Sequence, residues 1–332
     1  MILPVFIPHL GCPHQCVFCN QRTISGETES GLGGAQRQLA ELSTWVRPSL
    51  ENQLAFYGGS FTALDLKLQQ ALLELAETYR AQGLFGSLRL STRPDAIDNQ
   101  ELALLKTHGV TVVELGAQSL DDRVLALTER GHSARDVWEA SRLIQAAGFT
   151  LGLQLMTGLP GQDRESLLQT RDQVLAIHPE LVRIYPVLVI QGTPLAAAYR
   201  QGSYQPQSLE DAVEESTLLY DAFTGAGIQV IRLGLQPDRE LCAPGHILAG
   251  PFHPAFGELV KSYSIRLKIL RQIASLPPGN YNMVITCPKG LESMVRGQHR
   301  SNLRYFQEEL GLPVTLETGE KLEVRFYDRE TV

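Results

Sequence analysis

The chain has 332 residues, of which 43% are hydrophobic, and a formal net charge of −7 at pH 7. This length allows one large domain or one domain with an extension, and the apolar fraction is sufficient for a packed core. The acidic balance argues against nonspecific nucleic-acid binding by the whole surface. Five cysteines, an odd and low number for this length, argue against a disulfide framework.

No stretch approaches the roughly 20 apolar residues that span a bilayer. The first ten residues are apolar, but they lack a positively charged segment and a small-residue cleavage site. We interpret them as a buried strand and not as a signal peptide. Together with the cysteine usage, this predicts a reduced, cytoplasmic protein without a membrane partner.

Short apolar runs alternate with amphipathic segments up to about residue 190. The runs are rich in Val, Ile, Leu and Phe and are bounded by glycine or polar residues, which predicts strands. The predicted strands are Leu3–Leu10, Gln53–Tyr57, Ser87–Thr92, Thr111–Leu115, Thr150–Met156 and Leu181–Val187. The predicted helices between them are Ala35–Val46, Asp65–Ala81, Asn99–Thr107, Ala134–Ala146 and Arg164–Ile177.

Six β–α units imply parallel strands joined by right-handed crossovers. Six strands are too few to close an eight-stranded barrel, so we expect an α/β fold with an open, partial (β/α)6 barrel over residues 1–190. Residues 191–332 are expected to form a small α+β C-terminal extension. Its predicted helices lie near 209–223, 258–273 and 302–310, and its predicted strands near 228–233, 281–286 and 321–327.

Three cysteines, Cys12, Cys16 and Cys19, follow the first predicted strand with the spacing C-x₃-C-x₂-C. Three thiolates leave one iron of a cubic iron–sulfur cluster without a protein ligand, and an open iron can bind a small molecule. The alternative is a tetrahedral zinc site completed by His9 or His14. The spacing favours the cluster, because structural zinc sites usually pair two C-x₂-C units and this sequence has no second one.

Glycines or polar residues also mark the ends of the next predicted strands, where a partial barrel carries its chemistry. Adjacent glycines follow the second strand, and they let a backbone approach a ligand closely. Polar residues at the end of an apolar strand need hydrogen-bond partners. The residues concerned are Gly58, Gly59 and Ser60, then Ser91 and Arg93, then Gln118, followed twelve residues later by Arg130, and Gln154.

The cysteine spacing, with the aromatic Phe18 directly before the third cysteine, resembles the signature of the radical S-adenosylmethionine (radical SAM) enzymes. In motif order, residues 1–190 are most similar to the radical SAM domain of the Elongator catalytic subunit. The Gln118–Arg130 pairing also resembles oxygen-independent coproporphyrinogen III oxidase. We expect no acetyltransferase domain of the Elongator type, because 332 residues are too few to include it.

This resemblance implies one 4Fe-4S cluster with an open iron that binds the amino and carboxylate groups of S-adenosyl-L-methionine. It implies that Gly58 and Gly59 hold the methionine amino group and that Arg130 forks onto the carboxylate, a bidentate task that suits a guanidinium. The full set of cofactor contacts implied by the resemblance is Phe18, Gly58, Gly59, Ser60, Ser91, Gln118, Arg130 and Gln154.

Two of these positions depart from the relatives. Ser91 stands where the relatives have a glutamate, so it can hydrogen-bond the cofactor amine but cannot form an ion pair with it. Gln154, expected at the ribose hydroxyls, stands where one relative has aspartate and the other histidine. For Arg130 the structural alternative is a surface ion pair with Glu129 or Asp136. Arg93 could serve the cofactor, the substrate or a salt bridge that fixes its loop.

The function implied by the resemblance is reductive cleavage of S-adenosylmethionine to a 5′-deoxyadenosyl radical, with a one-electron donor of the flavodoxin or ferredoxin type.

The segment from Lys261 to Arg304 contains eight cations and a single acid, Glu292. They suggest an RNA or tRNA substrate, or they solvate several faces of an acidic protein. The alternatives are a haem-pathway or small-molecule radical SAM enzyme, and an iron–sulfur redox sensor without turnover.

Overall fold

The computed structural model describes residues 1–27 and 29–329. These residues separate into two compact units. The first unit comprises Met1–Ala212 and Ala222–Phe252, and the second comprises Val213–Asp221 and the chain from His253 onward. Within the described ranges, no helix combines the length and apolarity that crossing a membrane requires.

Among its described residues, the first unit contains nine strands and nine α-helices. Its strands are β1 (Ile2–Phe6), β2 (Gln53–Tyr57), β3 (Ser87–Thr92), β4 (Val110–Gln118), β5 (Thr150–Thr157), β6 (Leu181–Pro186), β7 (Val189–Ile190), β8 (Gln229–Leu233) and β9 (Ile247–Ala249). Its helices are α1 (Gln21–Ser25), α2 (Gly31–Trp45), α3 (Leu66–Ala81), α4 (Asn99–Thr107), α5 (Asp122–Leu127), α6 (Ala134–Ala146), α7 (Arg164–Ile177), α8 (Pro194–Arg200) and α9 (Leu209–Gly225), whose middle belongs to the second unit.

A curled parallel sheet of seven strands, in the order β1-β2-β3-β4-β5-β6-β8, forms the centre of the first unit. The predicted α/β fold with a partial barrel is therefore confirmed, and all six predicted strands are present. β8 adds a seventh strand that pairs in parallel with β6. The first unit thus extends to Phe252, beyond the boundary predicted at residue 190. Pairing across the long α8–α9 connection has no local sequence signal, so the sequence alone predicts this strand within the extension.

Side-chain caps explain why the predicted starts of α4, α6 and α7 agree with the structure, whereas α2, whose N-cap Ser30 makes no side-chain hydrogen bond, begins at Gly31 and not at the predicted Ala35. Asp98 accepts backbone N–H groups at the start of α4, and Asp163 accepts the N–H of Ser166 at the start of α7. Ser133 and Asp136 form a reciprocal capping box at the start of α6. These side chains satisfy N–H groups that have no partner inside the helix.

The barrel strands alternate between the packed core and the barrel interior. In β4, Leu115 is fully buried in the core, whereas Glu114 lines the interior cavity. In β6, Ile184 is fully buried, whereas Arg183 lines the same cavity. Because successive side chains of a strand point to opposite faces, the interior face can be polar while the outer face packs against the helices.

The second unit is a small α+β fold, as expected for the C-terminal region. It contains α10 (Phe256–Ala274), β10 (Tyr281–Cys287), α11 (Glu292–Arg296), α12 (Ser301–Arg304), β11 (Val314–Thr318) and β12 (Glu323–Asp328). In its sheet, β10 lies in the centre, parallel to β11 and antiparallel to β12. The helix predicted near 302–310 is α12 followed by a π-helical turn, and β11 was not predicted.

Candidate active site

A cavity of about 620 Å³ in the first unit is lined mainly by the C-terminal halves of β2–β6 and by the loops that follow the strands. It brings together the three cysteines and every cofactor contact expected from the sequence. These lining residues are Cys12, Cys16, Phe18, Cys19, Gly58, Gly59, Ser60, Ser91, Gln118, Arg130 and Gln154. That these residues bind a cofactor stays a prediction. That they line one cavity is a property of the fold.

The cysteine loop and the Gly-Gly loop are held together backbone to backbone. The Ser60 N–H donates to the Leu10 carbonyl over 2.8 Å. A Cβ at Gly59 would lie 2.5 Å from the Leu10 oxygen, and one at Gly11 would lie 2.1 Å from the Ser60 oxygen. Both positions therefore require glycine. Gly59 has this structural task in addition to the ligand contact expected of it.

Each thiol has a polar neighbour. Cys12 Sγ donates to Ser60 Oγ over 3.7 Å, and Gln21 Nε2 donates to Cys19 Sγ over 3.4 Å. Arg130 Nη1 donates to Cys16 Sγ over 2.9 Å. Burial raises the pKa of Cys12, and it raises the pKa of Cys19 to about 12. These two thiols are thus protonated in the metal-free chain, and binding iron must release their protons.

The three thiols that line the cavity are a donor set that fits an iron–sulfur cluster. Within residues 1–27 and 29–329, no three His, Cys, Asp or Glu side chains are grouped to hold one metal ion. A cubic cluster does not require the three thiolates to converge on one metal ion, because each thiolate binds its own iron at a separate corner. Of the two histidines considered as zinc ligands, His9 and His14, His9 already accepts the Gln21 N–H at Nε2 over 3.0 Å. The three thiols around one cavity therefore suit the cluster.

Arg130 is buried beside the cysteines and keeps one donor without a partner. Its Nη2 donates to the Gly116 carbonyl over 2.6 Å, and Nη1 contacts Cys16, but its buried Nε has no hydrogen-bond partner. Buried donors are rarely left unpaired, so the position suits an anionic ligand. The alternative surface ion pair does not form, because Arg130 is only 8% exposed.

Arg93 stabilises the loop that carries Arg130. Its guanidinium forms two hydrogen bonds of 2.9 Å with the Asp95 carboxylate. It also donates to the Arg130 carbonyl over 2.8 Å. Of the three roles considered for Arg93, these contacts favour the salt bridge that fixes the loop.

Two of the expected cofactor contacts, Gln118 and Gln154, form a hydrogen bond between neighbouring strands. Gln154 Nε2 on β5 donates to Gln118 Oε1 at the end of β4 over 3.3 Å. Gln118 has a φ of 64°, in the left-handed region that a non-glycine residue adopts only at a cost. Backbone strain of this kind is typical of functional sites.

His132 is buried close to Arg130 and Arg93. Its Nε2 lies 3.3 Å from the Ala117 carbonyl. Burial, with the nearby charges of Arg130 and Arg93, lowers the pKa of His132 to about 4. The imidazole is therefore neutral at pH 7, and it adds no positive charge beside the cavity.

A buried ionic network in the cavity wall was missed by the sequence analysis. Glu114 on β4 accepts hydrogen bonds from Tyr57 Oη over 2.7 Å, from Arg89 Nε over 2.9 Å and from Arg183 Nη2 over 3.1 Å. The Arg183 guanidinium also lies over the Tyr57 ring, 4.9 Å from its centroid. Burial and the charge of Glu114 raise the pKa of Tyr57, which stays protonated. The only sequence signal was one polar residue within each apolar strand.

Comparison with protein families gives two matches along the chain. Residues 6–174 match the Radical SAM superfamily, and residues 179–266 match the Radical_SAM C-terminal domain. The tRNA uridine(34) acetyltransferase of Methanocaldococcus jannaschii is 27% identical over 244 residues, which cover 61% of this chain and 45% of that protein. Human Elongator complex protein 3 is 32% identical over 130 residues, which cover 38% of this chain and 24% of that protein. The chain spans less than half the length of these two relatives.

Two solved structures share the fold. Elp3 of Methanocaldococcus infernus, with an N-terminal deletion, has a TM-score of 0.63 and 24% sequence identity, covering 81% of this chain and 64% of that one. Coproporphyrinogen III oxidase (HemN) of Escherichia coli has a TM-score of 0.53 and 20% identity, covering 69% of this chain and 53% of that one. The partial barrel described above is thus common to all three.

Proposed function

Because this chain belongs to the radical SAM superfamily, we propose that it binds one 4Fe-4S cluster through Cys12, Cys16 and Cys19 and uses S-adenosylmethionine to act on an RNA substrate. The observation that carries this proposal is the convergence of the cysteines and all expected cofactor contacts on one cavity. Cys12, Cys16 and Cys19 would hold the cluster, which would supply the one electron needed for reductive cleavage of the S–C5′ bond to methionine and a 5′-deoxyadenosyl radical.

The residues of the chain bind and orient the cofactor. Arg130 is held at Gly116 and next to Cys16, so its guanidinium is already positioned to fork onto a carboxylate. The joined amides of Gln118 and Gln154 offer further hydrogen-bond donors and acceptors to ribose hydroxyls. Each of these side chains is fixed before the cofactor arrives, which lowers the entropic cost of binding.

The ionic network lies in the wall of the same cavity, where Tyr57, Glu114 and Arg183 are lining residues. Glu114 is only 4% exposed, and its two arginine neighbours hold it in one orientation. Hydrogen bonds across β2, β3, β4 and β6 fix the strands from which the cofactor contacts extend. We infer that this network is a positioning element, and that it keeps the barrel interior rigid while a radical is present.

An RNA substrate is supported by the relatives and by the charge of the second unit. Several relatives are named as tRNA uridine(34) acetyltransferases. The eight cations between Lys261 and Arg304 all belong to the second unit. Part of this set is already engaged: Arg296 pairs with Glu292, Lys268 pairs with Asp221, and Arg266 stacks on Tyr305. An RNA contact must therefore use the remaining cations or displace these pairs.

The substrate class can be decided by identifying the product. We expect the reduced, cluster-loaded protein to form 5′-deoxyadenosine faster when bulk tRNA is added, and mass spectrometry of the digested tRNA to show a modified nucleoside. Coproporphyrinogen III tests the haem-pathway alternative in the same assay. Stimulation by the porphyrinogen and not by tRNA would refute the RNA proposal and support that alternative.

Replacing Arg130 by Ala should weaken the binding of S-adenosylmethionine to the cluster-loaded protein by roughly ten- to a hundredfold. A charge-assisted, bidentate hydrogen bond contributes about 1.5–3 kcal/mol, and the truncated side chain cannot form it. Arg130→Lys keeps the charge but not the fork, so we expect an intermediate loss. Anaerobic equilibrium dialysis measures all three dissociation constants.

The matched control is Arg123→Ala. Arg123 is 57% exposed and pairs with Asp163 at the surface, so its loss should leave the affinity for S-adenosylmethionine unchanged. Wild-type affinity in an Arg130→Ala protein with full iron content would show that Arg130 does not bind the carboxylate.

A further inference from the structure

The second unit contains a strand–helix–turn–helix–strand arrangement that the radical chemistry does not need. β10 leads into α11, a four-residue turn leads into α12, and the chain returns as β11 beside β10. Their apolar side chains pack into one core that includes Met283, Ile285, Val295 and Phe306. The turn between the two helices, Gly297–Arg300, projects from this core with three exposed residues, Gln298, His299 and Arg300.

The conformation of this turn is set by close packing. A Cβ at Gly297 would lie 2.5 Å from Ser301 Oγ and 2.9 Å from the Asn302 backbone nitrogen, so only glycine fits. His299 and Arg300 have φ values of 51° and 63°, in the left-handed region. Two consecutive non-glycine residues in this region are costly, so the surrounding structure must hold them there.

The buried side-chain amide of Asn302 fixes the two ends of the turn. Asn302 is 3% exposed, and its Nδ2 donates to the Ser262 carbonyl over 3.1 Å and to the Met294 and Val295 carbonyls over 3.3 Å. It thereby ties the end of α11 and the start of α12 to α10. On the outer side, Arg304 Nη2 donates to the His299 carbonyl over 2.6 Å. The turn is thus fixed in shape before any ligand binds.

A groove with a volume of about 350 Å³ runs beside the turn. Its charged lining residues are Arg296, Arg300 and the single acid Glu258, with His299 as a further polar group. The sequence from Lys289 to Arg304 contains four cations and one acid, Glu292. The Glu292 carboxylate pairs with Arg296. Of the two guanidinium groups that line the groove, that of Arg296 is paired with Glu292, which leaves Arg300 as the groove's cation outside this pair.

We propose that the turn Gly297–Arg300 and the groove beside it bind the sugar–phosphate backbone of single-stranded RNA, an inference that rests on the proposed RNA substrate. In KH modules, two helices joined by a Gly-x-x-Gly turn grip about four nucleotides through their backbone. Here Arg300 replaces the second glycine and keeps a positive φ, so the turn gains a cation that can pair with a phosphate. The short turn Gly297–Arg300, with its exposed side chains, suits single-stranded RNA and not a rigid duplex.

The test measures fluorescence anisotropy of a labelled single-stranded oligouridylate of about twelve nucleotides with the full-length, cluster-loaded protein. We expect binding to weaken with salt between about 50 and 200 mM. Arg300→Glu should weaken binding at least about tenfold and reduce the slope of log affinity against log salt by about 0.7–1. The double variant Gln298→Asp with His299→Asp should also weaken binding, because it adds two negative charges to the turn. Asp at position 299 tolerates the positive φ there better than most residues.

The matched control is Lys321→Glu, which makes the same change in charge at a site that is 78% exposed, between β11 and β12. It should bind the RNA within about twofold of the wild type, because a screened surface charge contributes little. Equal losses in the control and the turn variants, no loss in any variant, or no binding of RNA at low salt would each overturn the inference. Equal binding of a DNA duplex through the same turn would also overturn it.

Formation of 5′-deoxyadenosine by the wild-type protein is measured in the same preparation, which separates the two proposals. Cleavage of S-adenosylmethionine without turn-dependent RNA binding would overturn this inference alone. Turn-dependent RNA binding without cleavage would overturn the proposed reaction alone.

Discussion

Simultaneous replacement of Cys12, Cys16 and Cys19 by Ala is expected to abolish the iron–sulfur cluster completely. Anaerobically reconstituted wild-type protein should contain about four irons and four sulfides per chain, because three thiolates hold a cubic cluster with one open iron. The triple variant should contain neither. Iron and sulfide analysis, together with the visible absorption of the cluster, measures this result.

Cys242→Ala is the matched control for this prediction. Cys242 is an exposed free cysteine outside the cavity, so its replacement should leave the iron content unchanged. Stoichiometric zinc in the isolated wild-type protein, with no cluster after reconstitution, would contradict the assignment. It would favour the tetrahedral zinc site that the sequence also allowed.

Glu114→Gln is expected to lower the free energy of unfolding of the first unit by about 3–5 kcal/mol. Glu114 is 4% exposed and is the carboxylate that pairs with both Arg89 and Arg183. Gln keeps the size of the side chain but leaves two guanidinium groups in the barrel interior without a counter-charge. Removing one partner of a buried ionic network costs more than the network itself contributes, because the remaining charges stay desolvated.

Urea unfolding followed by tryptophan fluorescence measures this effect selectively. The two tryptophans of the chain, Trp45 and Trp138, both belong to the first unit. The control is Glu139→Gln, which breaks an exposed pair with Arg135 and should cost less than about 0.5 kcal/mol. A change in Glu114→Gln as small as that of the control would show that the network does not stabilise the barrel.

Elements whose signals are local could be predicted from the sequence. The bounds of α4, α6 and α7 agree with the prediction because Asp98, Ser133 and Asp163 cap them and glycine or polar residues follow them. The cysteine loop and the Gly-Gly loop were found for the same reason, since each is a short motif after a strand. Glycine at position 59 could be noticed, but its contact with the Leu10 carbonyl could not be known.

Features that depend on distant pairing could not be predicted. Glu114 and Arg183 are 69 positions apart, and each looks like an isolated polar residue within an apolar strand. The place of β8 in the main sheet depends on a crossover of about forty residues, because it must pass through α8 and α9 before pairing. Asn302 likewise has no sequence feature that points to its contact with Ser262.

The most direct test of the proposed reaction is the formation of 5′-deoxyadenosine by the reconstituted, dithionite-reduced protein with S-adenosylmethionine under anaerobic conditions. Chromatography with mass detection should show 5′-deoxyadenosine and methionine in equal amounts, even without a substrate. The variant that lacks Cys12, Cys16 and Cys19 should form neither product. A cluster-loaded wild-type protein that binds S-adenosylmethionine but leaves it intact after reduction would contradict the account and favour a redox sensor without turnover.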